Sequence, residues 1–128
     1  MTRTVLVIED NEQNLYLVRF LLERSGYAVV PALDGPRGIE EARRVEPALI
    51  LLDIQLPGMD GYAVASELRR IPALEGTPIV AVTSYAMVGD RERCLDSGCT
   101  GYIEKPINPD TFIEQVEAYL NASTPREA

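Results

Sequence analysis

Four short apolar runs in this sequence each end in a side chain that can do chemistry. Thr4-Val5-Leu6-Val7-Ile8 stops at Glu9-Asp10, Ala48-Leu49-Ile50-Leu51-Leu52 at Asp53, Pro78-Ile79-Val80-Ala81-Val82 at Thr83, and the stretch from Thr100 to Glu104 at Lys105. Three carboxylates brought together repel strongly unless one is protonated or a cation intervenes. A hard divalent cation suits such a set, and magnesium works through one or two carboxylates together with waters and phosphate oxygens. The ligand set expected here has Asp10 and Asp53 direct, Gln55 through its backbone carbonyl and Glu9 mainly through water. Asp53 could then act as a nucleophile toward a phosphoryl group, since aspartate forms acyl phosphates. Lys105 would supply a compact cation for phosphoryl or carboxylate oxygens and Thr83 a hydroxyl donor, together covering the charge that develops in phosphoryl transfer.

Taken singly, each residue has a plainer reading. Glu9 and Asp10 would serve as acids at a helix N-terminus, Asp53 as a turn-forming aspartate, Thr83 as a strand-end threonine and Lys105 as a solvated lysine. Their joint arrival at the ends of several strands is what favours a common site.

The elements that must deliver them follow from periodicity. After the first run, Asn11 to Asn14 opens a helix with Leu15, Val18, Leu21 and Leu22 on one face, closing at Gly26. Tyr27 to Pro31 reads as a short strand ended by its proline. Asp34-Gly35-Pro36 opens a second helix, with Ile39, Ala42 and Val45 inward and Pro47 as its stop. A Pro57-Gly58 turn follows the Asp53 strand, and Asp60-Gly61 begins a third helix carrying Val64, Leu68 and Ile71, halted by Pro72. A loop through Gly76 leads to the Pro78 strand. A weakly apolar helix over about Met87 to Ser97 is expected to be the least firmly held. The Thr100 strand and a last helix with Phe112, Ile113, Val116 and Leu120 inward complete the chain. Strands alternating with helices predict an α/β fold with a parallel sheet covered on both faces, right-handed crossovers and a site beyond the carboxyl ends of the strands.

Composition narrows the function. The 128 residues make one domain, expected over 1–122 with a short flexible tail over 123–128. A net charge of −8 argues against nucleic acid, which needs a basic footprint. The absence of histidine removes Ser-His-Asp and Cys-His catalysis, histidine metal ligands and a phosphohistidine of the chain's own. Lys105 is the single lysine beside eleven arginines. Cys94 and Cys99, in a chain with no signal peptide or transmembrane run, read as small buried apolar groups in a reduced, cytoplasmic protein.

Glu9-Asp10-Asn11, Asp53-Ile54-Gln55-Leu56-Pro57-Gly58-Met59-Asp60-Gly61, Val82-Thr83 and Lys105-Pro106 stand in the order and spacing of the receiver domains of two-component response regulators. The chain resembles that family over about residues 3 to 121. The resemblance implies a flavodoxin-like (βα)5 three-layer fold, a five-stranded parallel sheet of order 2-1-3-4-5, magnesium at the acidic cluster and a cis Lys105-Pro106 bond. It implies that Asp53 accepts phosphate from a histidine kinase or histidine phosphotransfer protein. Thr83 and Tyr102 would act as the switch, changing how the last two helices and fifth strand meet a downstream protein. On this view the chain is a phosphoacceptor signalling protein, catalysing only its own phosphorylation and slow dephosphorylation. Tyr85 and Gln55, each two residues beyond a site residue, would shield the acyl phosphate from water, and Ser84 stands where many receivers carry alanine.

Most response regulators attach an output domain and this sequence stops right after the last helix, so a stand-alone receiver is expected; Asp10 to Asn14, Asp53 to Pro57, Ala86 to Asp90 and Gly98-Cys99 further resemble single-domain regulators of the cell-division type. Two other readings remain. One is a receiver piece of a hybrid histidine kinase; the other is a magnesium-dependent aspartate-nucleophile phosphohydrolase. The second is disfavoured because Gln55, and no second general acid, stands two residues after Asp53.

Overall fold

The computed structural model describes residues 2–56, 58–84 and 88–122. Strand and helix alternate along the chain as β1 (Thr4–Ile8), α1 (Glu12–Arg24), β2 (Ala28–Ala32), α2 (Gly35–Val45), β3 (Leu49–Asp53), α3 (Gly61–Arg69), β4 (Ile79–Thr83), α4 (Val88–Asp96), β5 (Gly101–Glu104) and α5 (Phe112–Ala122). The strands form one parallel sheet in the order β2-β1-β3-β4-β5, as expected from the sequence.

Side chains alternate across the sheet, so each strand feeds two apolar layers. Leu6, Ile8, Ile50, Leu52, Ile79 and Ala81 pack with Ala42, Val64, Ala65, Leu68 and Cys94 from α2, α3 and α4. Val5, Val7, Leu49, Leu51, Val80, Val82 and Ile103 pack with Val18, Leu21, Leu22, Phe112, Val116 and Leu120 from α1 and α5. β3 is buried along its whole length, which is why its sequence is a continuous apolar run rather than an alternating one.

The loops at the carboxyl edge end in helix caps. Asn11, Asp34 and Asp60 accept from the backbone N–H groups of Asn14, Arg37 and Tyr62, each at 2.9 Å. Asp34→Ala removes such a cap away from the acidic cluster. It should lower stability by about 1 kcal/mol, read as a shift in the urea midpoint with an unchanged slope.

Two boundaries differ from the sequence expectation. Pro31 lies inside β2, in register with Val7, rather than ending it. β2 is an edge strand, and an exposed Pro31 costs no ladder bond there. Ile71 falls beyond α3, which stops at Arg69, and Pro72–Leu74 forms a 3-10 turn that buries Leu74 where a plain loop was expected. Pro57, Tyr85, Ala86, Met87 and the tail over 123–128 lie outside the described residues, so α4 is described from Val88 onward.

Cys94 and Cys99 are both buried, and neither is in a disulfide. Burial, with Cys94 nearby, pushes the Cys99 thiol up to about 12 against the opposing pull of Arg69. The thiolate is the reactive form. The native chain should therefore leave a disulfide reagent such as Ellman's unconsumed, and both thiols should titrate once guanidinium unfolds it.

Candidate functional site

Strand register builds the site. Ile8 of β1 lies opposite Leu52 of β3, so Glu9 and Asp53 emerge side by side with Asp10 one residue beyond. Asp53 pairs with Val82, which sets Thr83 at the end of β4, and Thr83 pairs with Glu104, which sets Lys105 just past β5. The backbone bonds Ile54 N–H to Val82 O (3.3 Å) and Lys105 N–H to Thr83 O (2.8 Å) carry the pairing past the strand ends. Five residues from four separate stretches of the sequence meet at one edge because three parallel pairings hold them there.

The three carboxylates Glu9, Asp10 and Asp53 each bring an oxygen within 4.8 Å of the others. Glu9 and Asp53 are buried at 4 % and 3 % exposure, and Asp10 is exposed. Lys105 lies between the buried pair, its Nζ 3.3 Å from Asp53 Oδ1 and 3.7 Å from Glu9 Oε1. Lys105-Pro106 is a cis peptide bond. Lys105 is thus a partly buried counter-ion rather than a solvated side chain. Asp53 Oδ1 also accepts from the Gln55 N–H at 2.9 Å, and Glu9 Oε2 accepts from the Asn11 N–H at 3.1 Å.

Burial raises the Glu9 carboxyl to about 7 from 4.5, reinforced by the Asp53 charge and by hydrogen bonding with Asp53. The Asn11 N–H and Lys105 oppose this rise. The folded chain therefore binds more protons at Glu9 than the unfolded chain between pH 4.5 and 7. Through this group the metal-free protein loses stability as pH rises across that window, the opposite sign to a salt-bridged acid with a lowered pKa. A bound cation removes the conflict.

The donor set of three carboxylates is hard and anionic, and it fits a magnesium or calcium ion. Magnesium affinity should rise with pH up to about 7 and level off above, with a proton released on binding below that point. Calorimetric titration in buffers of different ionisation enthalpy reads both. An affinity unchanged between about pH 5.5 and 8 would contradict it.

The turn after Asp53 is fixed by Gly61, whose N–H donates to Ile54 O at 3.3 Å. A Cβ on Gly61 would stand 2.5 to 2.9 Å from Ile54 backbone atoms, so only glycine lets the start of α3 approach the end of β3 so closely. Above the site the Ser84 hydroxyl donates to Gln55 Oε1 at 3.1 Å, joining the loops after β3 and β4. That contact, and Asn14 in the wall of a cleft of about 380 Å³ with Leu17, Ser84, Lys105, Pro106 and Ile107, were not singled out as site features from the sequence. Both are side-chain placements set by helix α1 and the loop after β4. Thr83 is buried at 3 % exposure. Tyr102 is half-buried on β5 and packs against the α2–α4 layer. Tyr85, expected to flank the site beside Gln55, lies outside the described residues.

A parallel sheet of this order, with an acid cluster and one lysine at its carboxyl edge, defines a class, and the chain belongs to it: the response regulator receiver domain family, whose model matches residues 5–117. Within that family it is 44% identical over 120 residues to the polar-differentiation response regulator DivK of Brucella ovis, spanning 94% of this chain and 98% of that one. Its fold overlays on a CheY-like receiver domain protein from Methanospirillum hungatei JF-1 with a TM-score of 0.88, at 27% identity over 96% of this chain and 97% of that one. It also overlays, with a TM-score of 0.86 and 31% identity over 94% of this chain and 99% of that one, on the receiver domain of the sensor histidine kinase PA1611 from Pseudomonas aeruginosa PAO1, a structure with a magnesium ion coordinated in its active site cleft. The chain is thus a two-component signalling domain, and no described helix is long and apolar enough to cross a membrane.

Proposed function

We propose that this chain accepts a phosphoryl group on Asp53 from a phosphohistidine of a histidine kinase or phosphotransfer protein, with magnesium held by Asp10, Asp53 and the Gln55 carbonyl and, through water, by Glu9. The observation that carries this reading is Asp53 itself, a buried carboxylate 3.3 Å from the one lysine and within 4.8 Å of two further acids. When bound, the metal neutralises the acids and the incoming phosphoryl oxygens.

The chain's own residues do the rest. An Asp53 carboxylate oxygen attacks phosphorus in line with the donor nitrogen; the P–N bond breaks, a P–O bond forms and the imidazole leaves. Lys105 then exchanges part of its pairing with Asp53 Oδ1 for a phosphoryl oxygen, and the Thr83 hydroxyl donates to another. The cleft lined by Asn14, Leu17, Pro106 and Ile107 beside Lys105 is mostly apolar and offers the donor a seat next to the site. Incubation with acetyl phosphate and magnesium should add one hydroxylamine-labile phosphate per chain, and EDTA should prevent it. Phosphate uptake that is indifferent to EDTA would sink the magnesium assignment.

Phosphorylation would draw Thr83 toward the phosphoryl group and turn the Tyr102 ring inward, so that α4, β5 and α5 present a different face to a downstream protein. The energy is a shift between two states of which only one pairs the added charge. The likeness to DivK over nearly all of that regulator supports a stand-alone cytoplasmic role in cell-division signalling. The likeness to the sensor-kinase receiver keeps the hybrid-kinase reading as the second one. With Gln55 two residues after Asp53 and Tyr85 two residues after Thr83 in the sequence, the acyl phosphate should persist for minutes or longer in magnesium buffer; decay within seconds would contradict this.

A further inference from the structure

β5 is an edge strand, paired with β4 on one side and with no described strand on the other. Such an edge presents backbone N–H and C=O groups on which another polypeptide can add a strand. Lys105 donates its N–H to Thr83 O. Successive residues of a strand aim their backbone groups to opposite sides, so Gly101 and Ile103 face β4 in phase with Lys105 while Tyr102 faces the open side.

There the Tyr102 backbone meets a side chain. Its N–H donates to the Tyr119 hydroxyl at 3.2 Å, and that hydroxyl donates to the Tyr102 carbonyl, also at 3.2 Å. One hydroxyl, as both acceptor and donor, bonds to both groups that a neighbouring strand would have bonded. Tyr119 reaches the edge from α5 by crossing Gly101, where any Cβ would overlap its hydroxyl and ring. Two features separated by eighteen residues, a glycine that opens β5 and a tyrosine in the last helix, therefore make one device.

We propose that Tyr119 is a clasp that closes the open edge of the sheet at Tyr102 against strand addition, including addition of β5 from a second copy of this chain. Recognition at the β5–α5 face then proceeds through side chains and not through a shared sheet. This goes beyond phosphate acceptance and does not depend on it, because the clasp is present in the unphosphorylated chain.

The test uses the full chain without magnesium or phosphodonor. Tyr119→Phe keeps the ring and removes the hydroxyl, and amide hydrogen exchange is followed by NMR. The Tyr102 amide should exchange about threefold to tenfold faster, the worth of one hydrogen bond, while the Gly101 and Ile103 amides stay within about twofold of the wild type. An unchanged Tyr102 amide, or an equal acceleration along all of β5, would overturn the clasp. Gly101→Ala, which displaces the ring instead of removing the hydroxyl, should reproduce the Tyr102-specific effect. Sedimentation over a concentration series should show a larger dimer fraction for Tyr119→Phe than for wild type at equal concentration. Equal fractions would overturn the edge-closing role.

Discussion

Asp53→Asn should take up no phosphate from a phosphorylated histidine kinase or from acetyl phosphate, under conditions in which the wild-type chain takes up one. The amide is close to isosteric with the carboxylate, so the fold and the Gln55 N–H contact to this side chain can persist. What disappears is the anionic nucleophile and one of three acids able to hold a cation. A tenfold loss would correspond to about 1.4 kcal/mol of barrier, and removal of the nucleophile costs far more than that. Retained uptake at the wild-type rate would move the phosphate to another residue. Circular dichroism and the urea midpoint of the variant, both expected near wild type, separate lost chemistry from lost structure.

Lys105→Ala has the second largest expected effect, and it acts on stability as well as on chemistry. Its ammonium lies within 3.7 Å of two acids that are buried, while its own side chain is 17 % exposed. Deleting one member of a fully buried charge pair costs several kcal/mol because the partner is left uncompensated. The partial exposure of Lys105 brings the expected loss to about 2–3 kcal/mol. The Glu9 carboxyl, already raised to about 7, loses the Lys105 charge that opposes the rise and climbs further. Below its pKa Glu9 is neutral and the cost shrinks, so the variant should be least impaired in mild acid and most impaired above pH 7. Magnesium should restore much of the lost stability by taking over the role of counter-ion, and it should bind the variant more tightly than the wild type. Phosphate uptake should stay low even with the metal, because the phosphoryl oxygens lack their cation. Urea midpoints with and without magnesium decide the matter; an equal loss in both would contradict the shared-counter-ion account.

The outline of the fold was legible because the sheet is parallel and buried. Leu49 to Leu52 could be read as a central strand from its unbroken apolar run, and the alternation of such runs with helical periodicities left few topologies. The order of the strands came from the family resemblance, not from periodicity. Pro31 misled because a proline ends a central strand but is harmless at an edge, and edge position is not written in five residues. The turn over Pro72–Leu74 was hidden because Pro72 is equally good at stopping a helix and at starting a 3-10 turn.

The acids and the lysine of the site were legible from strand ends alone, since each closes an apolar run. Their pairing was not. Glu9 is buried against the Asn11 N–H and within reach of Lys105, a placement that follows from the β1–β3 register. Tyr119 carried no signal of its own: on its helix it is one more residue of the inward face, and only the folded partner, the backbone of Tyr102, gives its hydroxyl a role.

The most direct test of the central claim locates the phosphate chemically in the unmodified chain. After phosphorylation in magnesium buffer, borohydride reduces an aspartyl phosphate to homoserine, and tandem mass spectrometry of the peptides places it. Homoserine is expected at the Asp53 position, with unmodified acids at Glu9 and Asp10. A reduced residue at either of those positions, or none at all after exposure to a phosphorylated donor, would contradict it.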